Sequence, residues 1–559
     1  MSTTTSSVHT KNVSRNPATA MAASLPSDLS HSPLIGILGV ILGAGIVTLV
    51  GRLLTLGLGD LKGGLGISSD QGAWIGTAFN VALMFIGPFT VYLGALLGTR
   101  KILLLSAAIF TIVSASLPLV HNYNLLIVLL VISGLTSGTF YPLTLTFALR
   151  NIPFRYLAIT VALYATSVEG AVNFAPSLYG YYREHFSWEW MFWTSAIVTP
   201  VMMLCVYVGI PDSPKPKRSG DEINFVGFLY GSLGFAMVFA ALDQGQRLDW
   251  WRSGLFSALL ICGVFFLLCG LVSRFSRPNP LVDMPYLFKW NTVLLAISLC
   301  AFRFALLGTA LVIPQSLAVH GFTATQYGSA VLWTAVPELF LTIIAAFFLN
   351  KGLDSRLLMA TGFACIAFAC LLNSDITSSW SAENYFPTEL LMAVGQSFAF
   401  MGLVSTLLLQ ALFSGGLESP QQILTFSAFF HVTRLFGGQI GTAMMGHFIA
   451  EREKLHSFLL GLQLQQGHWV TESTVRNLTF GLAAKSSGLT VATGRAVGLV
   501  DGKVRLQAYS LTFIDAFHFI AWICVVILLL IAMLQSSPMN FGDLYSLPSG
   551  SQPDQGGRV

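Results

Sequence analysis

Of the 559 residues, 54% are hydrophobic and only 10% charged, with a mean hydropathy of +0.71, a balance that excludes a soluble domain with a solvated charged surface. The net charge of +4 is small for this length, and the basic residues are spread through short connections, which excludes a nucleic-acid-binding stripe and leaves nucleic acid out as a partner. The chain belongs in the lipid bilayer, with room for roughly a dozen or more spans of ~20 residues.

Residues 1–32 are rich in Ser, Thr, Ala and Asn, carry no signal peptide, and read as a disordered cytoplasmic tail. A span-length window then predicts about fourteen apolar segments. The first six are 33–57, 73–97, 102–120, 124–149, 156–182 and 189–210. The stretch PDSPKPKRSGDE (211–222) follows as a solvated cytoplasmic hinge. The remaining eight are 224–242, 254–273, 291–314, 327–350, 356–374, 384–412, 424–450 and 511–536, leaving 537–559 as a second cytoplasmic tail.

Lys and Arg concentrate in every second connection: Arg100 and Lys101, Arg150 and Arg155, Lys215 to Arg218, Arg274, Arg277 and Lys289, then Lys351 and Arg356. The positive-inside bias places both termini in the cytoplasm and demands an even number of spans. The long 451–510 segment carries its own basic residues but is exempt from the bias, so it lies outside, with 480–508 expected as an amphipathic helix over the outer mouth.

All seven cysteines fall in apolar runs without metal-site or disulfide spacing and read as small core residues. Neither a phosphate-cradling GxxxxGK[ST] nor HExxH is present, so an ATP-driven pump and a zinc hydrolase are disfavoured, and no metal, cofactor or enzyme activity is expected. The informative residues are the ionisable ones inside apolar runs, because a charge at the bilayer centre costs several kcal/mol. Glu169, midway along the fifth segment, reads as a protonation site or substrate counter-charge, or equally as half of a structural ion pair. Arg303, between Phe302 and Phe304, reads as a site for an anionic group with apolar walls, or as the neutralising partner of a buried acid such as Glu338. Glu338 follows Pro337, which opens the backbone beside the acid. Arg434 precedes Gly437 and Gly438, which favours a structural anchor. Asp515 and His518 lie one turn apart, a proton relay or two interfacial polar residues.

With these residues in view, the chain resembles the fourteen-span drug:proton antiporters of the major facilitator superfamily over nearly its whole length. QGAW (71–74), FSWEWMFW (186–193), ALDQGQRLDWWRS (241–253), RPNPLVDMPYLF (277–288), TRLFGGQIGTAM (433–444) and QAYSLTFIDAF (507–517) carry the resemblance by their order and spacing. The family's turn between spans two and three keeps Gly98, Arg100 and Lys101, with Ala95 where an acid is usual. Leu130 stands where the family has a coupling arginine, and Val50 to Arg52 where an aspartate is usual. The antiporter motif of span five is AVNFAPSLYG (171–180), keeping Pro176 and Gly180.

The resemblance implies an all-α membrane protein with two six-helix bundles, 33–210 and 291–536, the hinge, two additional spans and linker occupying 211–290. It implies alternating-access export of amphipathic small molecules (drugs, detergents, fatty acids or metabolites) in exchange for protons. The setting is a bacterial inner membrane, with a periplasmic adaptor and an outer-membrane channel as further partners. Proton coupling falls to Glu169, Glu338 and Asp515, and substrate contact to Glu169, Arg303, Phe302 and Phe304. A facilitator or importer, or a non-transporting sensor on the same fold, remains open at this point. The orientation is tested in intact cells with an impermeant maleimide: a cysteine introduced near Lys485 should react and one near Lys217 should stay silent, and the reverse pattern overturns it.

Overall fold

The computed structural model describes residues 33–151, 157–209, 225–275, 287–413, 420–464, 467–535 and 540–546. The N-terminal tail, the hinge at 211–222 and most of the C-terminal tail lie outside the described residues. No strand occurs among those described. A backbone in lipid has no water to bond, so each segment meets its N–H and C=O groups internally.

Fourteen long helices follow one another: α1 Pro33–Leu56, α2 Ser69–Leu97, α3 Thr99–Ser116, and α4 in two pieces, Tyr123–Ser137 and Phe140–Asn151. Then come α5 Leu157–His185, α6 Trp190–Gly209, α7 Phe225–Gly245 and α8 Gly254–Phe275. The ninth, α9, starts as Trp290–Ala305, widens to a π-helical turn at Gly308–Val312 and resumes as Ile313–Val319. The rest are α10 Ala324–Asn350, α11 Ser355–Asn373, α12 Phe386–Phe413, α13 Pro420–Gly461 and α14 Leu489–Ala532. Local chemistry sets the ends. A Ser68–Gln71 capping box opens α2 and a Thr323–Gln326 box opens α10, while Gly98, at φ +87°, turns the chain from α2 into α3.

Thirteen of these helices are long and apolar enough to cross a membrane. The other, α13, carries His431, Arg434 and Gln439 and yet packs among the spans, against α9, α14, α2 and α4. Its polar face is turned to protein, where an intramembrane charge finds partners, and with it the count reaches the fourteen expected.

The segment expected to lie over the outer mouth is built differently. The α13 helix runs on to Gly461, a separate helix spans Trp469–Ala483, and Leu489 already begins α14. Residues 489–508 are thus a coaxial extension of the last span, because no Pro interrupts LTVATGRAVGLVDGKVRLQAYS and a helix does not stop where its apolar stretch does. A cleft of about 980 Å³ separates this extension from the shorter helix and the end of α13. We call this side of the molecule the hairpin face.

The first six helices pack on one another, with α1 against α5 and α6, and the last six form a second group around α11, α12 and α14. The additional pair α7–α8 lies against α2, and α7 also reaches α13. The widest contact between the two groups is α5 on α10. Small residues permit it: a Cβ on Gly180 would lie 2.7 Å from the Thr325 amide nitrogen, and one on Gly328 would lie 2.8 Å from Ser177 Cα. Ser177 Oγ donates to the Gly328 carbonyl at 2.7 Å, and Thr325 Oγ1 donates to Glu184 at 2.5 Å. On the opposite side of the midplane α13 closes against the first group, with Thr146 donating to Ser427 at 3.1 Å and Gly87 leaving room for the His431 ring. The two groups of helices thus touch on both sides of the midplane.

Overpacking a close helix contact costs about 1–3 kcal/mol. Gly180→Val should therefore lower the thermal midpoint in detergent and abolish transport without reducing membrane insertion. Gly59→Ala, with nothing within 4 Å of the new Cβ, should be silent.

Candidate functional site

The intramembrane charges expected from the sequence come together at the seam. Glu169 of α5 faces Arg303 of α9, with Oε1 3.5 Å from Nη1; the acid side chain is 1% exposed and the arginine side chain 20%. At this distance the pair attracts without a short hydrogen bond, and both Glu169 oxygens and Arg303 Nε and Nη1 lack a hydrogen-bond partner among the described residues. Room for the guanidinium comes from α13, where a Cβ on Gly438 would sit 3.4 Å from Arg303 Nε and Nη2. Gly437, one residue earlier, meets the Cys300 backbone, a Cβ there lying 2.6 Å from Cys300 Cα. The two glycines of TRLFGG thus serve the α9–α13 contact and the arginine's position together.

Two more arginines border this pair. Arg434 lies 4.1 Å from the ring centre of Tyr141 on α4, and the His431 ring stacks on the same tyrosine at 4.9 Å. A cation over a desolvated aromatic face gains about 2 kcal/mol or more. Arg52 of α1 donates through Nη2 to the Ala310 carbonyl, within the π turn whose widened ring loosens the carbonyl from the helix ladder. Of these three guanidiniums only Arg303 makes an ion pair with an acid, Glu169, among the described residues.

A second polar set adjoins the first. Asn173, one turn after Glu169, donates through Nδ2 to Glu338 Oε2 and to Gln396 Oε1, each at 2.9 Å. Gln396 Nε2 donates to Thr309 Oγ1 at 3.0 Å, and Thr309 donates to Glu389 Oε1 at 3.2 Å. All five residues are at most 1% exposed. Pro337, just before Glu338, removes one backbone donor from α10 at this level.

Other expected residues are placed apart. Phe302 is fully buried within the second group, stacked on Phe400 at 5.1 Å and edge-on to Phe363, and Phe304 packs edge-on to Phe519. Successive helical residues point about 100° apart, so the rings flanking Arg303 diverge from it into the bundle. Asp515 belongs to a separate cluster: it accepts from Arg452 Nε at 2.6 Å and lies 2.7 Å from His456 Nε2, both on the extension of α13, while His518 Nδ1 meets the Ile514 carbonyl of its own helix. Arg100 donates to the Tyr207 carbonyl at 2.8 Å, tying the start of α3 to the end of α6, and Lys101 is exposed. Pro176 lies inside α5, one turn before Gly180.

Asn173, Gln396, Thr309, Tyr141 and Glu389 were not legible as site residues. Neutral polar side chains carry no charge to single them out in an apolar run, and Glu389, three residues into α12 in YFPTEL, reads as an acid at a helix N-terminus. Four buried polar residues at helical spacing across α5 and α12 (Glu169 with Asn173, Glu389 with Gln396) were the available signal.

Fourteen long helices closing on a charged seam define a polytopic membrane protein of the solute-transporter class. The chain belongs to the Major Facilitator Superfamily, whose family model matches residues 35–442. It is 26% identical over 419 residues to the probable multidrug resistance protein EmrY of Escherichia coli K12, covering 74% of this chain and 80% of that one. It is 26% identical over 406 residues to the multidrug export protein EmrB of the same strain, with 71% and 76% covered. The fatty acid resistance protein FarB of Neisseria gonorrhoeae is 24% identical over 485 residues, with 86% and 92% covered. Among solved structures, the proton:xylose symporter XylE superposes with a TM-score of 0.53 over 95% of this chain and 99% of that one, at 11% identity, a likeness of fold alone.

Removing one partner of a buried ion pair costs about 3–5 kcal/mol because the other charge is stranded. Glu169→Leu should destabilise the detergent-solubilised protein by that order, and adding Arg303→Met should recover part of the loss. An additive double variant in chemical denaturation would show that the two side chains do not depend on each other.

Proposed function

We propose that this protein exports amphipathic small molecules with an anionic head group across a bacterial inner membrane, by proton antiport and alternating access of the two bundles. The observation that carries the reading is the set of three intramembrane arginines at the seam, Arg52, Arg303 and Arg434, of which only Arg303 pairs with an acid among the described residues, and each of which keeps at least one buried N–H unspent. A guanidinium holds a carboxylate or sulfonate through paired hydrogen bonds. The names of the relatives, multidrug export and fatty acid resistance, support export of such compounds.

In this reading Arg303 and Arg434 take the substrate's head group, Glu169 is the counter-charge that keeps Arg303 neutralised between turnovers, and Phe302 and Phe304 brace Arg303 from behind. Glu169 and Glu338, on facing helices, are the carboxyls offered for the exchanged proton, with Asp515 nearer the hairpin face on its route. An anion leaving and a proton entering move charge in the same electrical direction, each worth about 2.3 kcal/mol per 100 mV of membrane potential, so the exchange is driven hard by an interior-negative membrane. Both termini are cytoplasmic and the hairpin face is periplasmic, where its cleft offers a surface to an adaptor leading to an outer-membrane channel.

The test compares cells carrying wild type and Arg303→Ala against an anionic and a cationic panel. A hydrogen bond to a charged group is worth about 1.5–3 kcal/mol, so the variant should lose roughly ten- to a hundredfold in protection against anions and keep its protection against cations. Equal loss on both panels, at equal expression, would assign Arg303 to structure.

A further inference from the structure

We propose that Glu389 is a further proton-carrying carboxyl, held in its acid form by a one-way hydrogen-bond chain whose head, Asn173, belongs to the opposite bundle. For its purpose in the cycle this rests on the proton-antiport reading.

Thr334 Oγ1 lies 2.9 Å from the Glu389 backbone carbonyl and 2.7 Å from Glu389 Oε2. A hydroxyl has one hydrogen. If Thr334 gives it to the backbone carbonyl, the shorter contact is met only when Oε2 itself carries a hydrogen and donates it to Thr334. The other carboxyl oxygen, Oε1, accepts from Thr309, whose hydroxyl in turn accepts from the Gln396 amide. Every bond then runs one way, from Asn173 to Gln396, Thr309, Glu389, Thr334 and the backbone carbonyl. Each hydroxyl then gives its single hydrogen to one acceptor, and both carboxyl oxygens of Glu389 are satisfied.

The surroundings agree with an uncharged carboxyl. Glu389 is fully buried and makes no ion pair among the described residues. The elements packed on it bring Thr309 from α9, Thr334 from α10, the Cys370 thiol from α11 and the Tyr385 phenol from the turn before α12, and none of these is a cation. An unpaired carboxylate there would be stranded.

The chain's head makes the proton sensitive to conformation. Asn173 is on α5 and everything below it is on α9, α10 and α12, so parting of α5 from α10 removes the donor to Gln396 Oε1. The freed amide can turn its oxygen to Thr309, whose hydrogen then leaves Glu389 Oε1 for Gln396. Water admitted by the parting takes the Oε2 proton as hydronium, the O–H bond breaking with its electron pair left on the carboxylate. On reclosure the proton returns and the chain reforms. Glu389 lies closer to the hairpin face than Glu338 along their helices, so it is reached first from that side.

Infrared difference spectroscopy of the reconstituted full chain reads this without transport. At neutral pH the wild type should show a hydrogen-bonded protonated-carboxyl C=O band that Glu389→Gln removes. Asn173→Leu should weaken the same band, and Thr309→Val, which leaves the carboxyl in place, should shift it upward in frequency. In vesicles loaded with the fluorescent sulfonate 8-anilinonaphthalene-1-sulfonate, Glu389→Gln should flatten the pH profile of efflux. Carboxyl bands identical in wild type, Glu389→Gln and Thr309→Val overturn the inference. Loss of the band with no sulfonate efflux by the wild type would instead overturn the proposed substrate class and leave the protonated Glu389 standing.

Discussion

A charge placed at bilayer depth must find a partner inside the protein, and here the partners are found across the bundle boundary. Glu169 on α5 meets Arg303 on α9, Arg52 on α1 reaches the Ala310 carbonyl of α9, and Arg434 on α13 covers Tyr141 of α4. Asn173 on α5 bonds to both Glu338 and Gln396. Each of these joins the first group of helices to the second. The residues that give the seam its chemistry are therefore also those that join the two groups of helices.

The backbone is adapted to the same end. The π turn at Gly308–Val312 presents a carbonyl to Arg52 and places Thr309 between Gln396 and Glu389. Gly180 and Gly328 bring α5 and α10 to backbone contact, and Gly438 leaves space for Arg303. The seam thus combines close apolar packing, which is sensitive to a single added methyl group, with polar contacts that exchange partners readily. The additional pair α7–α8 touches both groups: Asp243, near the end of α7, accepts from Thr77 of α2, and Arg247 pairs with Asp70 at 2.9 Å, while Phe235 and Phe239 of α7 pack edge-on to Phe436 of α13.

The apolar segments were legible because hydropathy is a property of consecutive residues, and most predicted boundaries fall within a few residues of the helices. The exceptions are the helices that outrun the lipid: α14 was expected from 511 and begins at Leu489, since helix propensity continues where apolarity ends. Glu169, Arg303, Glu338 and Arg434 stood out as charges in apolar runs. Which of them meet was not readable, because Glu169 and Arg303 are separated by more than a hundred residues and only the tertiary packing of α5 on α9 and α10 joins them. The direction of Phe302 and Phe304 was hidden for a related reason: neighbours in sequence on a helix point apart. Glu389 was masked by its position in the first helical turn, where an acid has an ordinary role.

The central claim is that the α5–α10 seam closes and opens as the polar network across it forms and breaks. Spin labels at Tyr181 and Ser329, exposed positions on the two helices, report it through their distance distribution in lipid nanodiscs. The account predicts one short distance at neutral pH and a second, longer population that grows on raising the pH or adding 8-anilinonaphthalene-1-sulfonate. A single distance unchanged by pH and by the sulfonate, in protein that still transports it, would contradict the account.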